Sequence, residues 1–441
     1  MTVGSKIEPS DFWEKADSCL LNYGGEFVRE IIVGSKGLYV YTNEGKKILD
    51  FTSGQMSCLI GHCNSEISEV ISYYAENLDH IFSGMLSPPV VDLASKLVSL
   101  TPDGLDKAIF LSTGAESNEC AIKLAKTFTQ KFEIVGLSLS WHGMTGNAGS
   151  CTYQSGRIGH GPTVPGQLIL PAPNEYRSIF RHPDGSYDWK TEMLYGWSLV
   201  DAASVGSLAA VILEPVLSSG GMLVLPDGYL KEMKFQCEKR GMLLIVDEAQ
   251  TGIGRAGSLF SCIDSGVVPD ILTLSKTLGN GLPLSAVMTS NEIARVTKER
   301  GFLFYTTHVN DPIPAAVGSK VLDIVLRENL VQNSTERGEQ FRKGLRDLAK
   351  TYPWIGDVRG KGLMCGMELV KDRKSKEPYP ELASKLATKM MDLGLSANLI
   401  AVKSFGTTFR MAPPISISKK EMDEGLAIIK SAFEAVVAEG I

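Results

Sequence analysis

The sequence predicts an α/β fold, with a mostly parallel central sheet flanked by helices and a smaller α+β domain. Three observations carry that prediction. Short apolar runs alternate with helical patterns up to about residue 310. After Asp311-Pro312 the texture changes to long amphipathic helices and a glycine-punctuated strand. The composition, 441 residues with 44% apolar and 21% charged, is that of an ordinary globular chain and not of a disordered one.

The elements follow in order. Lys107–Thr113 is a continuous apolar run and reads as a buried strand. It enters Gly114 and then a helix over Ala115–Thr129, where Ala121, Leu124, Ala125 and Phe128 recur at helical spacing. Glu133–Ser140, Leu208–Pro215, Met242–Asp247, Ile271–Leu274 and Ser285–Ser290 read as further strands. A helix over Gly228–Lys239 is stopped by Gly241. Ile313–Arg327 and Val331–Lys350 are helical, Val358–Val370 is one strand, and Lys419–Val437 closes the chain as a helix. We therefore expect a large domain over 61–328 and a small one over 329–441. The first 60 residues, including Gly37–Asp50, are expected to pack with the small domain.

Composition also excludes classes. Acidic residues outnumber basic ones, the net charge is −6, and no cationic stripe suggests nucleic acid. No apolar run approaches the roughly 18 residues of a membrane span. The first residues lack the apolar core of a signal peptide, so a cytoplasmic location is the expectation. The 8 cysteines are scattered without a Cys-x-x-Cys pair, which points to a reducing compartment without structural zinc. The 6 histidines show no metal-ligand spacing along the chain. Glycine, at 44 residues, exceeds the average of roughly 7%. Loops that approach a ligand closely would use that excess.

Three local signals bear chemistry. Leu244–Gly252 delivers Asp247 to the C-terminal end of a strand, where ligands bind in open α/β sheets. Lys276 follows the strand Ile271–Leu274 amid small residues, a setting that suits a desolvated amine. Ser112–Asn118 passes from strand to helix through Gly114, leaving backbone N–H groups for a phosphate. Alone, each has an ordinary explanation: a turn cap, a surface lysine, a capped helix. Together they meet the needs of pyridoxal 5′-phosphate, which wants a phosphate cradle, a carboxylate for its ring nitrogen and a lysine. Gly252–Gly257 also spells G-x-G-x-x-G, but it follows a strand already assigned to Asp247 and no clear helix opens after it.

The order TGAESNE, EP, VDEAQTG and LSKTLGNGLPLSA resembles the class III (subgroup II) pyridoxal-phosphate aminotransferases of fold type I, over essentially the whole chain. Asp50–Ser57, Ser140–Gly146, Leu217–Gly221, Phe304–Val309 and Phe409–Pro414 are most similar to the family's 2,2-dialkylglycine-decarboxylating branch. The resemblance implies that Lys276 attaches the cofactor and moves protons. Asp247 would partner the ring nitrogen, Gln250 the phenolic oxygen, and Gly114 and Ala115 the phosphate. Trp141 would stack on the ring, and Thr307 would reach the phosphate of a neighbouring subunit. Arg410 would clamp the substrate α-carboxylate. Gln55, Met56, Trp141, Met144, Ser218 and Asn398 would complete the substrate side.

Gln55 carries the specific reading. The bond broken at Cα must stand perpendicular to the ring. A 2,2-dialkylglycine has no α-hydrogen, so its carboxylate must take that position, and Gln55 can hold it there by hydrogen bonds. The implied reaction is decarboxylation-coupled transamination of a substrate such as 2-aminoisobutyrate with pyruvate, giving a ketone, CO2 and alanine. The alternative is a class III aminotransferase with another amino donor. Glu214-Pro215 is followed by Val216–Gly220, without the Gly-Glu that many ω-amino aminotransferases carry. The resemblance further implies an alkali ion, potassium or sodium, at Ile81, Ser83, Thr307, Val309 and Asp311. Hard oxygen donors with one negative charge suit such an ion. A second alkali ion is expected near Val98, Thr101, Pro102 and Leu105. It implies small amino-acid and oxo-acid partners and a homodimer at least, with a homotetramer as the larger form. Ala397 and Lys403-Ser404-Phe405 depart from the family pattern and put the preferred alkyl groups in doubt.

Overall fold

A computed structural model describes residues 9–154, 157–402 and 406–440. Lys403-Ser404-Phe405 lie outside the described residues. In chain order the strands are β1 (Ile32–Lys36), β2 (Tyr39–Thr42), β3 (Lys47–Asp50), β4 (Lys107–Leu111), β5 (Glu133–Leu137), β6 (Gln167–Leu170), β7 (Leu208–Leu213), β8 (Val216–Leu217) and β9 (Leu223–Val224). They continue with β10 (Leu243–Asp247), β11 (Ile271–Leu274), β12 (Ser285–Thr289), β13 (Ile355–Lys361), β14 (Met364–Leu369), β15 (Leu395–Ser396), β16 (Asn398–Val402) and β17 (Gly406–Met411).

The central sheet has seven strands in the order β4-β12-β11-β10-β7-β5-β6. The neighbours from β11 across to β6 pair in parallel. β12 runs antiparallel to both β11 and β4. The chain is thus an α/β protein with a mostly parallel sheet, as the alternation of apolar runs predicts. β5, β7, β10 and β11 are buried at every position, the signature of strands covered on both faces. The helix Gly114–Thr129 lies against this sheet through Ala121, Leu124 and Ala125, all buried.

β4, β5, β7, β10 and β11 share one direction, so their C-terminal ends gather at one edge. Ser112–Gly114, Trp141–His142, Glu214, Asp247 and Ser275–Lys276 all follow those ends. This crossover edge is where open α/β sheets bind ligands.

Beyond it, β13, β14, β17 and β16 form a four-stranded antiparallel sheet. The sequence reads Val358–Val370 as a single strand; the structure folds it into the hairpin β13–β14. The turn uses Gly362, at φ +53°, whose missing Cβ would stand 2.3 Å from the Ala256 carbonyl carbon. β3 pairs in parallel with β15, Leu49 opposite Leu395, so Lys47–Asp50 shares a sheet with the late chain. β6 escapes the periodicity because three of its four residues are only partly buried or exposed.

Candidate active site

Two cavities meet at this edge and share Trp141 and Lys276. One, of ≈ 480 Å³, is lined by Ser112–Ala115, Asn118, His142, Met144, Asp247 and Ser275 among others. The other, of ≈ 550 Å³, is lined by Gln55, Met56, Ser219, Gln250, Ala397, Asn398 and Arg410 among others. The predicted cofactor and substrate residues therefore separate into two chambers, with Trp141 and Lys276 between them. Gln250 falls on the substrate side of that division and Met144 on the cofactor side.

The phosphate cradle is built by a capping box. Thr113 Oγ1 accepts from the Glu116 N–H at 3.2 Å, and Glu116 Oε2 accepts from the Ser112 and Thr113 N–H groups at 2.9 and 3.1 Å. That occupies every early donor except those of Gly114 and Ala115, the first two helical positions. A Cβ on Gly114 would only touch Ser275, at 3.4 Å from its Cβ and 3.6 Å from its Oγ. Gly143, at φ +130°, lies so close that its Cβ would fall 2.6 Å from that of Ala115.

Asp247 is buried. Its Oδ2 accepts from Asn118 Nδ2 at 2.7 Å and lies 2.8 Å from His142 Nδ1, while Oδ1 accepts from the Ala249 N–H at 3.0 Å. Thr273 Oγ1 donates to Asn118 Oδ1 at 2.8 Å and fixes which way that amide faces. Burial alone would push the Asp247 carboxyl up; the hydrogen bond and charge of His142, with the Ala249 and Asn118 donors, hold it below its ordinary value. An ionised carboxylate at the strand end is what a protonated pyridine nitrogen needs. Asn118 and His142 were not singled out from the sequence. Asn118 closes the Ser112–Asn118 segment and His142 follows Trp141 within Ser140–Gly146, so the motifs hold both residues without assigning them a role.

Lys276 follows β11 with φ +20°, an unusual backbone for lysine. Burial lowers its ammonium pKa, with the Arg410 charge acting the same way; Asp247 and Glu214 oppose them. A lysine so destabilised as a cation is suited to covalent attachment.

Arg410, on β17, is buried and meets no carboxylate among the described residues. Its Nε and Nη2 donate to Asn398 Oδ1 at 3.0 and 2.6 Å, and Nη1 donates to Ser218 Oγ and Ser219 Oγ at 3.3 and 3.1 Å. Asn398 is opposite it in the β16–β17 register. Burial pushes the guanidinium down to about 10, against the pull of Glu214. Ser218 thus acts on Arg410, and its neighbour Ser219 lines the cavity.

Gln55 sits in a tight turn after β3. Gly54, at φ +63°, permits that turn. Asp50 anchors it, accepting from the Gly54 N–H at 2.7 Å and the Thr52 N–H at 2.9 Å, and lying 2.9 Å from His62 Nε2. Glu214 is buried beneath the floor, accepting from the Trp141 and Ser218 N–H groups at 2.9 and 3.3 Å. Burial pushes its carboxyl up to about 7, and the Asp247 charge adds to that.

The remaining predicted residues lie elsewhere. Thr307 is exposed and lines neither chamber. Ser83 Oγ is hydrogen-bonded to Tyr305, two residues before Thr307; Ile81 is half-buried, Val309 is buried, and Asp311 pairs with His80 and His308. Val98, Thr101, Pro102 and Leu105 surround the C-terminal end of the helix Pro88–Leu100, where Thr101 Oγ1 donates to Leu97 O at 3.0 Å. Gly252–Gly257 opens no helix; its Arg255 is buried and donates to Ala412 O and Ser53 Oγ, both at 3.0 Å.

The donor set fits pyridoxal phosphate. Two helical N–H groups face the cradle, an ionised buried carboxylate stands at a strand end, and the buried acceptor Gln250 Oε1 has no partner among the described residues, leaving its amide free to turn toward a bound group.

Comparison with known proteins agrees. Residues 24–433 match the family Aminotransferase class-III. An uncharacterized aminotransferase of Schizosaccharomyces pombe is 48% identical over 99% of this chain and 97% of its own. A probable 4-aminobutyrate aminotransferase of Bacillus subtilis is 31% identical over 98% of this chain and 99% of its own. The crystal structure of an (S)-enantioselective omega-transaminase from Thermomicrobium roseum superimposes with a TM-score of 0.89 at 32% identity, covering 98% of this chain and 100% of that one. No helix among the described residues is long and apolar enough to cross a membrane. The chain belongs to the class III aminotransferases, pyridoxal-phosphate enzymes of fold type I.

Proposed function

We propose that this aminotransferase couples decarboxylation of a 2,2-dialkylglycine, such as 2-aminoisobutyrate, to amination of pyruvate. One observation carries the reading: Gln55 and Arg410 line one chamber with Lys276, and Arg410 is held by Asn398 and two serines rather than by an acid. A guanidinium without a carboxylate partner is ready for a substrate carboxylate.

Bound pyridoxal phosphate supplies an electron sink for whichever bond at Cα stands perpendicular to its ring. Gly114 and Ala115 would hold its phosphate, Asp247 its ring nitrogen, Gln250 its phenolic oxygen, and Lys276 its aldehyde carbon. With a dialkylglycine, the Gln55 amide would donate to the carboxylate that departs as CO2, and Lys276 would deliver a proton to the cofactor that keeps the bonding electrons. With alanine or pyruvate, Arg410 holds the carboxylate away from that position and Lys276 moves the proton at Cα. Trp141 and Met56 bound the alkyl groups.

A second reading is a class III aminotransferase with another amino donor. The names of the relatives speak for it more directly than for the first, and Ala397, a departure from the family pattern, lines the chamber. CO2 release from 2-aminoisobutyrate, measured with pyruvate and potassium present, separates them. Steady release supports the first reading. Its absence, with alanine transamination intact, leaves the second. The same proposal includes a cytoplasmic homodimer or homotetramer in which Thr307 serves the neighbouring site, and alkali ions at the two loop clusters described above.

A further inference from the structure

We propose that His80, His308 and Asp311 form a binding site for a borderline divalent cation of the zinc, cobalt or nickel class. The two histidines stand 228 residues apart in sequence (308 − 80), on separate loops, yet they meet on one carboxylate. His80 Nδ1 lies 2.6 Å from Asp311 Oδ1, and His308 Nδ1 lies 2.5 Å from Oδ2. The three ligand atoms fall within 4.8 Å of one another. The ring centroids are 5.1 Å apart and tilted by 50°.

The local sequence takes one usual helical partner away from this carboxylate. Asp311 occupies the N-cap of the helix Pro312–Arg327, where an aspartate ordinarily accepts from the N–H groups of the second or third helical residue. The third residue here is Pro314, which has no N–H, and Pro312 takes the first position. The Asp311 side chain makes no capping bond. It turns to the two imidazoles instead, while the carboxylate itself stays largely shielded, 13% exposed. The histidine rings are exposed at 45% and 60%, so core packing does not force them onto Asp311.

Two imidazole nitrogens and one carboxylate are the donor set of borderline divalent ions and leave coordination positions open for water. An ion bound there would take the two Nδ1 lone pairs in their neutral form and replace the direct contacts to Asp311. Asp311 also belongs to the alkali-ion set of the proposed function, so the two cations would exclude one another there. The divalent site itself stands without that reading.

The test is Co2+ binding to the pyridoxal-phosphate-loaded protein, by equilibrium dialysis and visible absorption, in potassium-free buffer. Wild type is compared with His80→Ala and His308→Ala, whose exposed rings can be removed without opening the core. Each substitution is expected to weaken binding at least about 100-fold, the upper end of what outer-shell partners cost. Exposed Cys19 and Cys63 offer Co2+ a competing thiolate site. Binding that is absent, thiolate-like in its spectrum, or unchanged in both histidine variants overturns the proposal. Loss of binding in the variants while potassium has no effect on catalysis would retain this site and remove the alkali ion.

Discussion

Arg410 gives two of its donors, Nε and Nη2, to the single amide oxygen of Asn398, at 3.0 and 2.6 Å. This fork fixes the guanidinium plane from a neighbouring strand. Because no acid neutralises it there, the site favours substrates that bring their own carboxylate. Arg410→Ala should lower kcat/KM for pyruvate by about 100-fold, the lower part of the range for truncating one partner of a buried charge pair. Amination of a ketone without a carboxylate should change far less. Equal losses for both acceptors would mean that Arg410 serves the fold and not the substrate.

The Asp50–His62 pair should govern the Gln55 loop. The Asp50 hydrogen bond, followed by one from Cys58, raises the His62 pKa to about 10. Burial would raise the Asp50 carboxyl, but donors from His62, Thr52 and Gly54 hold it low. The His62 contribution to stability is full below its unfolded value near 6.5 and fades as pH rises toward 10. The Asp50 contribution is present above its unfolded value of 3.8 and fades as pH falls through its lower folded value. His62→Ala should cost about 3 kcal/mol near pH 6, as for breaking a buried pair, and less at pH 10. Thermal melts across that range check it. A loss that does not shrink toward pH 10 would contradict the pairing.

Glu214 shares the pH sign of His62 and opposes that of Asp50. Its folded carboxyl titrates at about 7 against an ordinary 4.5. Between those values the folded chain keeps a proton that the unfolded chain releases, so stability falls as pH rises. Glu214→Gln should flatten the melting temperature across pH 4.5 to 7. An unchanged slope would show that this acid is ionised in the folded protein.

Asp247→Ala should leave the cofactor attached through Lys276 while slowing turnover by about 100- to 1000-fold, as when one preorganised electrostatic partner is lost. Cofactor content by absorbance and kcat for alanine measure the two separately. Full turnover would remove Asp247 from the chemistry.

Much of this arrangement was legible in the sequence, for a physical reason. β10 and β11 are covered on both faces, so they read as unbroken apolar runs, and a polar residue at their ends stands out against them. Lys276 and Asp247 stand out that way, and Gly114 stands out where the run of β4 gives way to a helix. The helix Gly114–Thr129 shows its buried stripe at 3.6-residue spacing. What the sequence did not disclose were partners far apart in the chain. Asn118 and His142 meet Asp247 across 129 and 105 residues, and Asp50 and His62 flank Gln55 only after the loop closes. The sequence reads Val358–Val370 as one strand, and the Gly360-Lys361-Gly362 run inside it is where the chain turns back as the hairpin β13–β14.

The most direct test of the central claim compares wild type with Gln55→Ala in two assays. One measures CO2 from 2-aminoisobutyrate, and the other measures amino exchange between alanine and pyruvate. If Gln55 holds the departing carboxylate, CO2 formation should fall by about 100-fold, the cost of one aimed donor, while amino exchange falls by less than about tenfold. No CO2 from wild type, or equal losses in both assays, would contradict it.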